Sequence, residues 1–298
     1  MNISIILLTP LIFLLTFYAC QKKVTQPVIS TPVAFEPSLE AHSFEFKKEI
    51  MEVAEGIHVA IGYGLANSIM IEGTNGVVIV DCMGSVETGQ EVKDAFEKIT
   101  NKPVKALIYT HNHGDHIFGA QAMAGEDQPE VYAHELTEYY IDRLLSVLRP
   151  VMTLRSYRMF GIELAEGQIA NCGIGPHFEL DQDHRIGLLK PTKTFSDSLS
   201  LDIEDIQLKL FHAPGETDDQ LFVWLPDRKI LLPGDNIYKS FPNLYTIRGT
   251  PYRDVKAWSN SLDMMRYLEP EILVPSHTRP LMGRDTIQKV LTDYRDAI

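Results

Sequence analysis

An α/β fold is predicted by three observations. Apolar runs of strand length recur along the chain, an amphipathic helical segment joins two of them, and polar clusters follow directly on strand ends. The opening is β-rich: Ile57–Ile61, Ser68–Glu72 and residues 77–81 read as strands, with Thr74-Asn75-Gly76 as the hairpin turn between the last two. Ser85 begins a helical pattern that puts Val92, Ala95, Phe96 and Ile99 on one face and stops at Asn101 and Pro103. It leads into a strand over residues 104–109, so the local order is strand, helix, strand. Residues 135–159 carry apolar positions at mixed helical spacing broken by Pro150, which predicts two helices. Residues 161–176, with Gly161, Gly167, Gly173 and Gly175, predict a long loop, either a substrate rim or a surface insertion. Residues 207–211, Leu221–Leu225 and Ile230–Leu232 return to strand, with Pro226-Asp227-Arg228 as a turn. A helix over 254–268 and a strand over 272–274 follow. No internal repeat is evident.

The 298 residues are 45% hydrophobic and 22% charged, enough apolar material for one large α/β domain or two small ones. Forty acidic against 27 basic residues give a net charge of −13, which argues against nucleic acid as a partner. Residues 3–19 form an apolar run a little short for a membrane span, ending at Ala19-Cys20 before Gln21-Lys22-Lys23. This predicts an export signal over residues 1–20. Ala19-Cys20 resembles a bacterial lipobox, in which Cys20 becomes a lipidated mature terminus, although Phe17 and Tyr18 are bulkier than that pattern prefers and no Lys or Arg precedes the run. A plain secretory signal and an uncleaved anchor are the alternatives. The expected location is the periplasm, or a bacterial membrane through that lipid anchor. Residues 21–43 read as a linker, Pro-, Thr- and Val-rich as far as Pro37, and residues 44–298 as the folded domain. Cys82 reads as the end of a core strand, and no pairing of Cys82 with Cys172 follows from the sequence.

Thr110-His111-Asn112-His113-Gly114-Asp115-His116 sets three imidazoles and a carboxylate directly after an apolar strand. That arrangement is costly unless a cation compensates it. Imidazole nitrogens and carboxylates suit zinc or a similar divalent ion, and four such groups exceed what one catalytic ion with an open position needs, so two metals are expected. A solvated His-rich loop is the bland alternative.

His-x-His-x-Asp-His after a strand resembles the signature of the metallo-β-lactamase superfamily, and His111, His113, Asp115 and His116 fit it. Pro214-Gly215-Glu216-Thr217, Pro233-Gly234-Asp235 and Pro275-Ser276-His277 follow in the order that family shows, each after a strand. The resemblance implies a four-layer αββα sandwich. It also implies one metal held by His111, His113 and Glu216, a second by Asp115, His116 and His277, and Asp235 between them, with Asp115 and Asp235 as the catalytic carboxylates. His212 is an alternative ligand, better read as a strand-end His. Glu216 stands where the superfamily usually has His, a departure found in the alkyl sulfatase branch. Phe241-Pro242-Asn243-Leu244-Tyr245-Thr246-Ile247-Arg248-Gly249, followed by Tyr252-Arg253-Asp254 and Trp258, is similar to a stretch of that branch. So is Asn171-Cys172-Gly173-Ile174-Gly175-Pro176, and the likeness runs from about Phe44 onward.

The resemblance therefore implies a hydrolase that cleaves a small alkyl sulfate ester to alcohol and inorganic sulfate, with two divalent ions, zinc first among them, activating water so that no Ser or Cys nucleophile is needed. An anionic sulfate head wants a fork of donors, which Arg248, with Asn243 and Tyr245, supplies. Arg253 reads equally as a donor or as an ion pair with an acid such as Asp254. Alkyl sulfatases continue past the catalytic domain into a helical dimerisation region and a sterol-carrier-like domain, whereas this sequence stops soon after His277, so no oligomeric state is implied. The competing readings are another hydrolase of the superfamily (lactonase, phosphodiesterase or β-lactamase) and a non-catalytic metal-binding lipoprotein.

Overall fold

The computed structural model describes residues 34–165, 167–178 and 184–298. The expected signal and most of the expected linker lie outside them. Where the linker is described it carries a helix, α1 (Pro37–His42), which Pro37 opens and the Glu36 carboxylate caps. Asn171 Nδ2 donates to Leu39 O at 2.9 Å and ties this segment to the folded body, so order begins ahead of Phe44.

Two mixed sheets follow. The first joins β1 (Glu49–Ala54), β2 (Ile57–Ile61), β3 (Ser68–Glu72), β4 (Val77–Val80), β5 (Val104–Ile108), β6 (Glu130–His134) and β7 (Lys193–Phe195) in chain order, antiparallel as far as β4 and parallel beyond it. The second contains β8 (Ser198–Ile203), β9 (Ile206–His212), β10 (Leu221–Leu225), β11 (Ile230–Leu232), β12 (Ile272–Leu273) and β13 (Leu281–Met282). It is antiparallel except where β11 runs parallel to β12.

Alternation along the strands sorts side chains into layers. Val78 and Val80 of β4 with Ala106 and Ile108 of β5 meet Leu208, Leu210, Val223 and Leu232 of the second sheet in the central core. Their neighbours Val77, Ile79 and Leu107 turn outward against Val92 and Phe96 of α2 (Val86–Glu97) and Met123 of a later helix. On the far side Phe222, Trp224 and Leu231 pack against α-helical Trp258, Leu262, Ile287 and Leu291. The four layers are helix, sheet, sheet, helix, the αββα sandwich expected. Strands β2, β4 and β10 are buried at every position, which is why they read as unbroken apolar runs.

Helix ends follow the local chemistry. Ser85 Oγ accepts from Thr88 N at 3.1 Å to start α2. After the short helices α3 (Gly114–Ile117) and α4 (Ala120–Ala124), a π-helical turn, Leu144–Leu148, joins α5 (Thr137–Arg143) to α6 (Arg149–Met159). Residues 137–159 are thus one helical run with a bulge, not two helices split at Pro150. Pro150 sits in the first turn of α6, directly after the π-helical turn, where it cannot donate to the preceding turn and the helical pattern is already irregular. The expected long loop is confirmed in that the described residues from 161 to 178 carry no regular element. Asp254 caps α7 (Val255–Tyr267), and α8 (Arg284–Ala297) closes the outer layer. No helix among the described residues is long and apolar enough to cross a membrane.

Candidate metal centre

All seven expected ligands converge at the ends of β5, β9, β11 and β12. His111, His113, Glu216 and Asp235 form one group of donors, and Asp115, His116 and His277 a second, the ligand atoms of each group lying within 4.8 Å of one another. Asp235 Oδ2 stands between them, 3.7 Å from His111 Nε2, 3.4 Å from His116 Nε2 and 3.1 Å from His277 Nε2. His212 belongs to neither group. It ends β9, stacks on His134 with ring centroids 3.8 Å apart, and bonds to Asp218 O.

Local backbone explains the aim of each side chain. Gly234 turns the chain at φ +60, and a Cβ there would sit 2.1 Å from Gln220 Nε2, so only glycine allows Asp235 this approach. The ring nitrogens not facing the cluster are each occupied. His277 Nδ1 donates to Leu65 O at 2.8 Å, His116 Nδ1 lies 2.8 Å from Asp81 Oδ2, and His111 Nδ1 lies 3.1 Å from Thr110 Oγ1. Each of these three histidines therefore turns Nε2 inward, the arrangement that fixes a ligating imidazole.

Two anchoring residues escaped sequence reasoning. Asp81, fully buried at φ +59, accepts from Thr110 N, Thr110 Oγ1 and Ser276 Oγ as well as His116. Asn67 donates through Nδ2 to Pro275 O and Thr278 O and so frames the His277 turn. The available signal was a carboxylate after the wholly apolar strand Val77–Val80 and an amide ahead of the buried strand Ser68–Glu72.

Charge and burial are in tension here. Burial pushes His111 well below its ordinary pKa, with His116 and His113 adding to the effect. Burial also opposes protonation of His277 and His116, yet Asp235, Asp115 and, for His116, Asp81 overcome it: His277 is raised to about 9 and His116 well above its usual value. Burial alone would raise Glu216 and Asp115, but the Arg253 guanidinium and His113 hold Glu216 well below the carboxylate range, and His116, His277 and His113 do the same for Asp115. Acids thus crowd the cluster and pull His116 and His277 toward the protonated state, which is the electrostatic condition a cation relieves.

The residues fit divalent ions. His116 Nε2, Glu216 Oε2 and Asp235 Oδ1 are buried with no hydrogen-bond partner among the described residues, an expense that coordination removes. All donors are imidazole nitrogens and carboxylate oxygens, the set that suits zinc and its neighbours.

The cluster opens into a cleft of about 400 Å³ that Asp115, Glu216, Asp235, Asn243 and Arg248 line at one end and Phe118, Leu144, Leu148, Met152, Phe160 and Phe178 line elsewhere. Among the described residues the Arg248 guanidinium makes two long contacts, 3.4 Å to Gly249 O and 3.4 Å to His113 Nε2, which leave most of its donors unspent there. Tyr245 does not line this cleft: it lies on the bend at residues 244–245 and is 73% exposed. Arg253 pairs with Glu216 rather than Asp254, whose carboxylate is taken by the N-terminus of α7. Cys82 is buried in the outer core as expected, and both Cys82 and Cys172 are free thiols.

The chain is 36% identical over 237 residues to a linear primary-alkylsulfatase of Pseudomonas sp. (strain ATCC 19151), covering 77% of this chain and 44% of that protein. It is 26% identical over 260 residues to an (R)-specific secondary-alkylsulfatase of Pseudomonas sp., covering 83% and 39%. It thus spans less than half the length of these relatives. Among solved structures, a stereoselective inverting sec-alkylsulfatase from Pseudomonas sp. superposes with a TM-score of 0.77 at 23% identity over 87% of this chain and 46% of that one. A metallo-beta-lactamase family protein from Thermus thermophilus superposes with a TM-score of 0.61 at 17% identity, over 82% and 80%. These two likenesses concern the fold. The model of the metallo-beta-lactamase superfamily matches residues 61–277, from β2 to the last of the clustered histidines, and the chain belongs to that superfamily.

Proposed function

We propose that the chain is a metal-dependent alkyl sulfatase that hydrolyses a sulfate monoester to alcohol and inorganic sulfate. The observation that carries this reading is one cleft with two chemistries: the Arg248 guanidinium beside the donor cluster, and apolar side chains such as Leu144, Leu148, Met152 and Phe160 elsewhere in its lining. An anionic head on an aliphatic tail matches that division, and the names of the relatives agree with it.

In this reading His111, His113 and Glu216 hold one divalent ion, Asp115, His116 and His277 the other, and Asp235 reaches both, with zinc as the assigned metal. Such ions, when bound, supply Lewis acidity and bring the pKa of bound water toward neutrality. Arg248 and Asn243 orient the sulfate head through charge-assisted hydrogen bonds, for which a planar fork suits better than an ammonium. Asp115, held in its anionic form by His116, His277 and His113, accepts hydrogen bonds and stays unprotonated. The apolar wall excludes water from the tail.

The test is inorganic sulfate release from sodium dodecyl sulfate by the zinc-loaded full chain, beside Glu216→Ala. Release that the variant lacks is expected. Turnover of nitrocefin or a homoserine lactone without sulfate release reassigns the substrate, and bound zinc without turnover of any ester removes the enzymatic reading.

A further inference from the structure

Glu216 differs from the other clustered donors in what stands behind it. The Arg253 side chain is 1% exposed, its Nη1 lies 2.7 Å from Glu216 Oε1, and the same nitrogen donates to Asn243 O. Asn243 Nδ2 adds a second donor to Oε1 at 3.2 Å. Oε1 is therefore held from behind, while Oε2 stays buried without a hydrogen-bond partner, 3.5 Å from His113 Nδ1 and 3.9 Å from His111 Nε2. Among the described residues Glu216 is the sole carboxylate within ion-pair distance of Arg253. Each charge is thus the other's counterion, in a place too dry to leave either one alone.

We propose that Arg253 is a positioning residue for the metal centre. By clasping Oε1 it presents Glu216 as a single-oxygen donor, and by cancelling its charge it lets the pair stand as one neutral donor, as an imidazole would. Three features support this. The clasp occupies one carboxylate oxygen and leaves the oxygen that faces the cluster. Nη1 of the guanidinium reaches Oε1 and Asn243 O together, which ties Glu216 to the Asn243 backbone. The third feature is burial, which makes a charge at this depth costly unless it is paired, so residues 216 and 253 are energetically one unit. The inference rests on the metal reading above and is independent of which ester is cleaved.

The test is a double-mutant cycle in the full chain with Arg253→Met, Glu216→His and the two combined, alongside Arg253→Lys. Zinc content after dialysis, zinc affinity against a chromophoric chelator, and Tm of the EDTA-stripped proteins are measured. Each single Met or His variant is expected to weaken the ion assigned to His111, His113 and Glu216 by roughly 10–100-fold, the scale for loss of a ligand-orienting partner. Arg253→Lys falls between. The double variant, which removes both charges, is expected to regain that ion and a higher stripped Tm than either single variant. Arg253→Met with two ions at wild-type affinity overturns the inference. So does a double variant whose loss is the sum of the singles, the result for an arginine that merely holds the Asn243 loop. Wild-type chain that binds no zinc overturns the metal reading along with it, whereas two ions with additive losses overturn this inference alone.

Discussion

Asp81 shows how much one side chain carries. Its carboxylate collects four donors from three residues: Thr110 through N and Oγ1, His116 through Nδ1, and Ser276 through Oγ, all within 2.9 Å. Removing a buried anion of this kind strands its partners, so Asp81→Ala should lose about 3–5 kcal/mol of stability in urea unfolding. Asp81→Asn keeps the shape but returns an amide toward at least one donor, and its zinc affinity should fall by roughly 10–100-fold in a chelator competition. An unchanged affinity in Asp81→Asn would mean that His116 does not need this partner. The clustered ligands were legible because their types and order make a pattern. Asp81 was not, since an acid after Val77–Val80 looks like any strand end until topology brings Thr110 and Ser276 to it. Tyr245 shows what a matching stretch leaves open: it lies inside that stretch, and the bend at residues 244–245 leaves its ring exposed.

At the scale of elements, the helical run 137–159 walls the cleft, and its bulge at Leu144–Leu148 sets the angle between α5 and α6. Met152→Asp puts a charge in that wall. If about two tail methylenes rest there at ~0.8 kcal/mol each, KM for dodecyl sulfate should rise by about tenfold while hexyl sulfate is little affected. Equal effects on both chain lengths would move the tail elsewhere. A second junction joins β6 to β9, where His134 stacks on His212 and bonds to Ser196 O. Burial, and then His212, depress the His134 pKa, with Asp219 and Glu135 opposing. The folded state therefore binds fewer protons than the unfolded chain below the ordinary His value of 6.5. Its stability contribution is complete above about pH 6.5 and is lost as pH falls below it. In EDTA, His134→Gln should show a smaller drop in Tm between pH 7 and pH 5 than the wild type, and parallel curves would exclude His134 as the cause. Long apolar or capped elements were readable in advance. Edge strand β8 (Ser198–Ile203), with its serines and Asp202 alternating outward, was hidden because half its positions face water, and α8 because only Ile287, Leu291 and Tyr294 mark its buried stripe.

Over the whole molecule, the αββα arrangement was implied by family likeness, while periodicity alone reached only α/β. What periodicity lacks is which strands share a sheet and in what sense they pair, such as the parallel pairing of β12 with β11 across the intervening α7. The candidate centre draws each donor group from both halves of the sandwich, so under the proposed assignment each ion clamps the two sheets together. At free zinc about 1,000-fold over Kd, one such ion adds about 4 kcal/mol, and at roughly 2–4 °C per kcal/mol EDTA should lower Tm by about 10 °C. A calorimetric scan that EDTA leaves unmoved would refute the clamp. The same division also imposes a sequence in time. During synthesis the first donor group is complete once Asp235 has emerged, but the second waits for His277, after β12 has been made. Under the proposed assignment, a chain released in between carries every donor of the first group and lacks His277 of the second.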